Sequence, residues 1–272
     1  MIPKFASTIL QTALKKGGEV LIDHLGRTGK AIVKESISSV VTEADLAAER
    51  AILEVLDGAP EVFNVITEES EYMDRHSEYT WVVDPLDGTS NFAAGLPWFG
   101  VIIALFKGVT PVLGGMYLPV DKKLYLAEAG GGATRNGEPI HVTPSANLSE
   151  QLVVYSFDFN EDQAQTRAEM ELMANLSREV RNIRATNSLV DYCYVADGRL
   201  GAALNQATKI WDIAASWLLI REGGGTVTDI HGQEIKFDLS AGAVNDNYTI
   251  LASGAGLHQD ILKTIHSKSS RK

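Results

Sequence analysis

The chain has 272 residues, of which 45% are hydrophobic and 22% are charged, as is ordinary for a water-soluble globular protein. Its formal net charge of −11 argues against nucleic acid or an anionic membrane as the main partner. One cysteine, Cys193, excludes an internal disulfide. The sequence shows neither a secretion signal nor an apolar stretch of the roughly 18 residues that cross a bilayer. A cytoplasmic protein without a membrane anchor is therefore expected.

The N-terminal part of the chain predicts two helices. Apolar residues recur at helical spacing over residues 5–25, although Gly17-Gly18 is expected to weaken or bend that helix. A second helix is expected over residues 46–56, and Thr42 and Asp45 are spaced as a capping pair at its start. Its inward face is expected to carry Leu46, Ile52, Leu53 and Leu56.

An acidic pair, Glu68-Glu69, follows a strand that is expected over residues 62–66. Such a pair is usually part of a solvated loop. This one, however, precedes the next strand by one loop only, and that strand also ends in an aspartate, Asp84. Two adjacent strand ends could therefore deliver carboxylates to the same place.

The most informative stretch is residues 81–92, WVVDPLDGTSNF. Its first residues are aromatic and β-branched, which indicates the end of a buried strand, and the Asp-Pro step then breaks the hydrogen-bond ladder. An Asp-Gly turn follows, with a threonine and a serine placed to cap a helix. Asp84 and Asp87 therefore face one small space, beside Gly88 and free N–H groups that suit a phosphate. Hard carboxylate oxygens beside a phosphate site are what Mg²⁺ requires.

The remaining elements predict a meander followed by alternating strands and helices. Strands over residues 101–106, 112–117 and 124–127 predict an antiparallel meander. Residues 141–148 are the expected boundary between two lobes, 1–145 and 146–272, and the second lobe is expected to have βαβ-type order. Short strands are expected at residues 32–34 and 38–41, further strands at 152–157, 180–184, 201–204, 226–230 and 248–252, and helices at 162–176, 189–197, 211–222 and 257–265.

A second acidic motif, Trp211-Asp212-Ile213-Ala214-Ala215, opens one of these helices. Aspartate near a helix start is normally a cap that also complements the helix dipole. The 6 histidines are scattered without a pair at ligand spacing, so histidine offers no competing metal site.

Two of these motifs carry a family resemblance. WVVDPLDGTSNF and WDIAA resemble the two signatures of the inositol monophosphatase family. The members of that family are Mg²⁺-dependent and Li⁺-sensitive sugar phosphatases. The resemblance covers essentially the whole chain. It implies an α/β (α+β) fold, a layered αβαβα sandwich of the inositol monophosphatase and fructose-1,6-bisphosphatase type with two packed lobes. It also implies a homodimer that acts on a small phosphorylated metabolite with two or three Mg²⁺ ions, with Mn²⁺ as a substitute and Li⁺ and Ca²⁺ as inhibitors.

The resemblance further implies roles for particular residues. Metal ligands are expected at Glu68, Asp84, the carbonyl of Leu86, Asp87 and Asp212. Catalytic roles are expected for Asp45, Glu68 and Thr89, of which Asp45 and Thr89 orient the attacking water. Phosphate and substrate contacts are expected at Asp87, Gly88, Thr89, Ser90, Arg184, Asn187, Ser188, Asn205 and Asp212.

Substrate choice is where the sequence departs from the family pattern. Leu189 stands where the family has a small alanine, and it is expected to narrow the pocket. Asn205 stands seven residues before Asp212, where inositol-binding members carry a glutamate, so a preference for inositol phosphate is open. Fructose 1,6-bisphosphate, histidinol phosphate and nucleotide phosphates are alternatives. The rival class is a non-catalytic regulator that binds a metal or a phosphometabolite.

Overall fold

The computed structural model describes residues 2–26, 32–33, 40–41, 43–70, 72–158 and 162–267. The helices in these ranges are α1 (Ala6–His24), α2 (Glu43–Asp57), α3 (Thr89–Ala93), α4 (Gln163–Glu179), α5 (Leu189–Ala196), α6 (Ile210–Glu222) and α7 (His258–His266), with a short 3-10 helix at Leu148–Glu150. The strands are β1 (Ile32–Val33), β2 (Val40–Val41), β3 (Asn64–Thr67), β4 (Tyr79–Asp87), β5 (Gly100–Lys107), β6 (Thr110–Leu118), β7 (Lys123–Glu128), β8 (Gly132–Arg135), β9 (Glu138–Pro139), β10 (Leu152–Ser156), β11 (Asn182–Arg184), β12 (Ala202–Thr208), β13 (Gly225–Thr228) and β14 (Tyr248–Gly254). Within the described ranges, every helix is too short or too polar to cross a membrane.

Seven strands form the first sheet, in the order β3-β4-β5-β6-β7-β8-β9. β3 and β4 are parallel, and every later pair of neighbours is antiparallel, which confirms the expected meander. Successive side chains of a strand point to opposite faces. On β5, Val101, Ile103 and Leu105 accordingly enter the core on one side of the sheet. Ile102, Ala104 and Phe106 enter the core on the other side.

The second sheet has the order β11-β10-β12-β14-β13. β10 is parallel to both β11 and β12, while β14 is antiparallel to both of its neighbours. α4 connects β10 to β11, and α5 connects β11 to β12. The expected βαβ order is therefore confirmed for these three strands, and β13 and β14 make the sheet mixed.

Helices cover both faces of both sheets. α1 and α2 pack on the outer face of the first sheet, α5 and α6 lie between the sheets, and α4 and α7 pack on the outer face of the second. These five layers confirm the expected αβαβα sandwich. α6 belongs to the second half of the chain but packs directly on β6 of the first sheet. The division into lobes at residue 145 stays a prediction.

The first helix continues through the two glycines at which the sequence predicts a weakening or a bend. α1 runs without interruption through Gly17 and Gly18, and both glycines are buried. A Cβ on Gly18 would lie 2.4 Å from Cδ1 of Tyr117, and a Cβ on Gly17 would lie 2.8 Å from Cδ1 of Ile52. The two glycines therefore permit close packing of α1 against β6 and α2.

The inward face of α2 also differs from the expectation. Its buried stripe runs through Ala48, Ile52 and Leu56 at the four-residue spacing of one helix face. Leu46 lies two positions before Ala48, about 200° around the helix, and is 41% exposed, so its predicted inward placement is wrong. The expected cap Thr42, and residues 34, 38 and 39 of the expected short strands, lie outside the described residues.

A buried histidine ties the last helix to the second sheet. His258 is 2% exposed, with Nδ1 2.8 Å from Ser253 Oγ and Nε2 2.9 Å from Thr228 Oγ1. The Thr228 hydroxyl donates to the carbonyl of Asp229 at 2.7 Å, so it accepts from Nε2–H of a neutral imidazole while Ser253 donates to Nδ1. Burial lowers the pKa of His258, because a charged imidazolium would lose its hydration there.

Replacing His258 with glutamine is expected to reduce the decrease in the free energy of unfolding as the pH is lowered. Below about pH 6.5 the unfolded wild type binds a proton at this position that the folded protein resists, so its free energy of unfolding falls. Glutamine does not titrate. The stability advantage of wild type over the variant should therefore narrow as the pH is lowered from about 8 to about 5, as measured by urea titration. The exposed His141→Gln exchange is the control, and a pH-independent difference for His258→Gln would contradict the expectation.

Candidate active site

Two acidic residues lie side by side at the end of neighbouring strands. Thr67 of β3 pairs with Val83 of the parallel strand β4, so the next residues, Glu68 and Asp84, are also neighbours. The backbone N–H of Glu68 donates to the carbonyl of Val83 at 3.2 Å. The structure thus brings the two carboxylates together at the C-terminal ends of β3 and β4, as the sequence predicts.

A β-bulge sets the direction of the second aspartate of the motif. The sequence predicts that β4 ends before Pro85, but the strand continues to Asp87. Its register against β5 shifts between Asp84 and Asp87, and proline is tolerated there because the bulge leaves a position without a ladder partner. Residues three apart on a regular strand would face opposite ways. The bulge brings the carboxylates of Asp84 and Asp87 to the same side.

A left-handed glycine turns the chain from β4 into α3. Gly88 has φ +83° and is itself the N-cap of α3, so the predicted cap by Thr89 or Ser90 is wrong. The turn instead directs the hydroxyl of Thr89 back toward the strand end. Its Oγ1 lies 2.9 Å from the carbonyl oxygen of Leu86 and 3.1 Å from Oδ1 of Asp45, which is 1% exposed on α2.

Asp212 enters the site from the first turn of α6. Its Oδ2 accepts the backbone N–H of Lys209 and the hydroxyl of Thr208, both at 2.8 Å. Burial raises the pKa of Asp212 above its ordinary value, and these two hydrogen bonds oppose part of that rise. The carboxylate therefore caps the helix with one oxygen and still belongs to the acidic cluster, so the two interpretations of the sequence are compatible.

Three carboxylates converge at the centre of the site. Asp84, Asp87 and Asp212 each place one oxygen within 4.8 Å of the others. Burial raises the pKa of Asp84 well above its ordinary value, and repulsion from Glu68 is the next cause. Burial and then repulsion from Asp212 do the same to the pKa of Asp87, opposed by a hydrogen bond from the N–H of Leu189. Carboxylates this close favour a bound cation, and an all-oxygen donor set suits a hard one such as Mg²⁺.

Two adjoining cavities open beside this cluster. The first, of about 230 Å³, is lined by these residues with predicted roles: Glu68, Asp84, Leu86, Asp87, Gly88, Thr89, Ser90, Asn187 and Asp212. The second, of about 140 Å³, shares Asp87, Asp158, Asn187 and Asp212 with the first. It adds two further predicted residues, Ser188 and Asn205. The structure therefore brings most of the predicted site residues to the lining of two adjoining cavities.

Three residues stand apart from the two cavities. Arg184 is exposed on β11, donates to the carbonyl of Ile183 at 2.9 Å and lines neither cavity, so its substrate contact stays a prediction. Asp45 reaches the site through Thr89. Leu189 is buried in the core beside Gly100, so the predicted narrowing of the pocket by its side chain is not observed.

Asp158 is a site residue that the sequence analysis misses. It lies two residues after β10 and lines both cavities. Burial raises the pKa of Asp158, while hydrogen bonds from Asn205 and Asn187 lower it. The signal that identifies Glu68, a carboxylate just after a strand, also exists at Asp158. Asp158 was not predicted because no recognisable motif surrounds it.

A layered α/β fold with carboxylates gathered beside a glycine turn is typical of hydrolases that transfer phosphoryl groups with the help of cations. The comparisons with known proteins make this class specific. The family model described as the inositol monophosphatase family matches residues 4–270. The chain therefore belongs to the inositol monophosphatase family and is a phosphatase.

Individual relatives agree with this assignment. The chain is 35% identical to the Nus factor SuhB of Pasteurella multocida over 226 residues, covering 82% of this chain and 84% of that protein. It is 33% identical to the fructose-1,6-bisphosphatase/inositol-1-monophosphatase of Aquifex aeolicus over 226 residues, covering 81% of this chain and 84% of the relative. The crystal structure of the extragenic suppressor protein suhB from Bartonella henselae matches with a TM-score of 0.87 at 29% identity, covering 96% of this chain and 98% of that chain.

Proposed function

We propose that the protein is a Mg²⁺-dependent phosphatase that hydrolyses a small phosphate monoester by direct attack of water. The observation that carries the proposal is the convergence of Asp84, Asp87 and Asp212 within 4.8 Å beside the turn at Gly88. Buried carboxylates at this separation need positive charge, and a phosphate dianion beside them needs it too.

The donor set supports a proposed set of metal ligands. Glu68, Asp84, Asp87 and Asp212 offer carboxylate oxygens around the first cavity, and Leu86 adds a carbonyl oxygen. Two or three bound Mg²⁺ ions would supply charge stabilisation at the phosphate and a lowered pKa for the attacking water. The protein's own part is to fix these oxygens in place. Asp84 Oδ1 is held by the N–H of Leu86 at 3.0 Å, and Asp212 by the start of α6.

Thr89 and Asp45 are proposed to orient the water. The Thr89 hydroxyl has one proton and two acceptors within reach, Leu86 O and Asp45 Oδ1. If the carbonyl of Leu86 serves as a cation ligand, Asp45 becomes the acceptor for that proton. The lone pairs of Thr89 can then accept a proton of the water and direct its oxygen toward phosphorus.

The turn at Gly88 is proposed to hold the phosphate. The first helical hydrogen bond of α3 runs from the N–H of Phe92 to the carbonyl of Gly88 at 2.9 Å. N–H groups before that point have no partner within the helix, and an anion is their natural acceptor. Gly88 and Ser90 line the cavity there beside the carboxylate cluster.

The test is phosphate release from inositol 1-phosphate, fructose 1,6-bisphosphate, histidinol phosphate, a 3′-phosphonucleotide and NADP. Each compound is assayed with Mg²⁺, with EDTA, and with Mg²⁺ plus Li⁺. We expect Mg²⁺-dependent release from at least one compound, its loss in EDTA and its reduction by Li⁺. Release that is insensitive to EDTA, or none at all while calorimetry shows Mg²⁺ binding, would contradict the proposal.

One relative favours a second candidate function. Its name, Nus factor SuhB, is not the name of a hydrolase. The corresponding candidate is a regulator that binds a metal or a phosphometabolite without turnover. The same panel separates the two, because a regulator would bind a compound without releasing phosphate. A homodimer, a cytoplasmic location, Mn²⁺ substitution and Ca²⁺ inhibition stay predictions, and light scattering tests the first of them.

A further inference from the structure

The two cavities would bind different parts of a phosphate monoester. The first contains the cluster of Asp84, Asp87 and Asp212 and the turn at Gly88, where the phosphate is proposed to bind. The second cavity shares Asp87 and Asp212 with the first and extends away from them toward Asn205. An ester whose phosphate lies at the cluster would therefore extend its alcohol part over the wall that both cavities share. The inference below rests on this proposed function.

Asp158 lies on that shared wall and is held there by two amides. The Nδ2 of Asn187 donates to Asp158 Oδ1 at 3.3 Å, and the Nδ2 of Asn205 donates to Oδ2 at 3.5 Å. Both hydrogen bonds are long, and both donors are neutral. They orient the carboxylate without neutralising its charge.

The orientation of each amide is fixed by the backbone around it. Asn205 accepts the N–H of Ala207 at 2.7 Å through Oδ1, so its NH₂ group must face the other way, toward Asp158. Asn187 donates to the carbonyl of Phe157 at 2.8 Å and accepts its N–H at 3.3 Å, which clamps the residue before Asp158. Asn187 has φ +49°, a left-handed conformation that asparagine tolerates better than most residues. These contacts together hold the Asp158 carboxylate in one orientation toward the cavity.

The charges around the cavities do not balance even when cations are bound. The described residues that line the two cavities include these carboxylates: Glu68, Asp84, Asp87, Asp158 and Asp212. Among the same described lining residues there is no lysine, arginine or histidine. These five carboxylates and a bound phosphate dianion carry seven negative charges, and even three divalent cations would offset only six of them. Asp158 lies outside the three-carboxylate group, so the surplus charge faces the alcohol part of the substrate.

We propose that Asp158 is a specificity-determining residue that selects phosphate monoesters whose alcohol carries an ammonium group. A cationic amino alcohol would place its charge against the carboxylate, while a neutral polyol would offer only hydrogen-bond donors. A second phosphate on the substrate would be repelled by Asp158, since like charges placed close together disfavour a wrong ligand. The substrate class is therefore amino-alcohol phosphates, and bisphosphates are disfavoured.

Three compounds of one skeleton test the inference. They are 3-aminopropyl phosphate, 3-hydroxypropyl phosphate and propane-1,3-diyl bisphosphate, which share a propyl chain and carry an ammonium, a hydroxyl or a second phosphate at the far end. In wild type with Mg²⁺, kcat/KM is expected to decrease in that order. In Asp158→Asn, the ratio of kcat/KM for the amine over the alcohol should fall about tenfold, and the ratio for the bisphosphate over the alcohol should rise several-fold. Asp121→Asn removes an equal charge from an exposed position and should leave both ratios unchanged.

The outcomes separate this inference from the proposed function. If wild type hydrolyses the compounds but Asp158→Asn scales all three values equally, Asp158 has a structural or metal-binding role and the inference is wrong. The Mg²⁺ concentration for half-maximal rate distinguishes those two roles. If wild type hydrolyses a compound of the panel above but does not prefer the amine among these three, the inference alone is wrong. If it releases no phosphate from these compounds or from any compound of that panel, the proposed function fails, and the inference fails with it.

Discussion

Replacing Asp84 with asparagine is expected to lower kcat in Mg²⁺ about 1,000-fold and, in EDTA, to raise the melting temperature of the protein. The first effect follows from the loss of a shared cation ligand, since charge stabilisation by a metal contributes several kcal/mol and about 4 kcal/mol corresponds to 1,000-fold in rate. The second follows from repulsion. Asp84 is 1% exposed, and the metal-free protein must hold it against Glu68, Asp87 and Asp212.

Asparagine is a close replacement in shape, which isolates the charge. Its Oδ1 can still accept the N–H of Leu86, which lies 3.0 Å from Asp84 Oδ1. The variant therefore keeps the hydrogen bond that supports the bulge and loses only the buried negative charge. The melting temperature in EDTA should rise by about 2–4 °C for each kcal/mol of relieved repulsion. In Mg²⁺ the order should reverse, because the variant binds the cation less tightly and gains less from it.

Activity assays and thermal melts with EDTA or Mg²⁺ check both effects on one sample. Asp121→Asn is the matched control, since Asp121 is exposed and should change neither quantity. A variant that melts lower than wild type in EDTA would show that Asp84 contributes more to the fold than repulsion costs. A variant with near wild-type kcat would remove Asp84 from the set of ligands.

Local chemistry explains which parts of the site the sequence could predict. Asp84, Asp87 and Gly88 lie within one short motif, so their spacing alone places them around one turn. Glu68 was predictable because β3 and β4 are consecutive strands, and consecutive strands tend to be neighbours. The local sequence of Asp212 predicted only a helix cap, and its place in the site was implied by the resemblance of WDIAA to the second family signature.

Features that depend on distant contacts were not predictable in the same way. Gly17 and Gly18 resemble helix breakers in sequence, and only the contacts of α1 with Ile52 and Tyr117 show that they are packing residues. Asp158 has an ordinary local sequence, and its role follows from its contacts with Asn187, in the loop before α5, and Asn205, on β12. The helices and strands followed from hydrophobic periodicity and their layers from the family resemblance, whereas the lining of the substrate cavity depends on which loops meet.

The second large effect is expected at Gly88. Its φ of +83° is a left-handed conformation, and an alanine Cβ there would lie 2.5 Å from the carbonyl oxygen of Trp98. Gly137 has φ +85° with nothing within 4 Å of an added Cβ, so Gly137→Ala has the same backbone strain without the clash. Denaturant titration should show a loss of about 1–2 kcal/mol for Gly137→Ala, and a further 1–3 kcal/mol for Gly88→Ala.

The effect of Gly88→Ala on activity should exceed its effect on stability. Trp98 contributes a backbone oxygen to the clash, and backbone cannot rotate away as a flexible side chain can. The turn itself must therefore shift, and with it Thr89, whose hydroxyl lies 3.1 Å from Asp45. A displacement of about 1 Å at such a site can cost about 100-fold in rate. We expect kcat to fall by at least about that factor in the folded variant, while Gly137→Ala keeps wild-type kcat. Equal losses in both variants would mean that strain alone, rather than the approach of Trp98, makes glycine necessary at position 88.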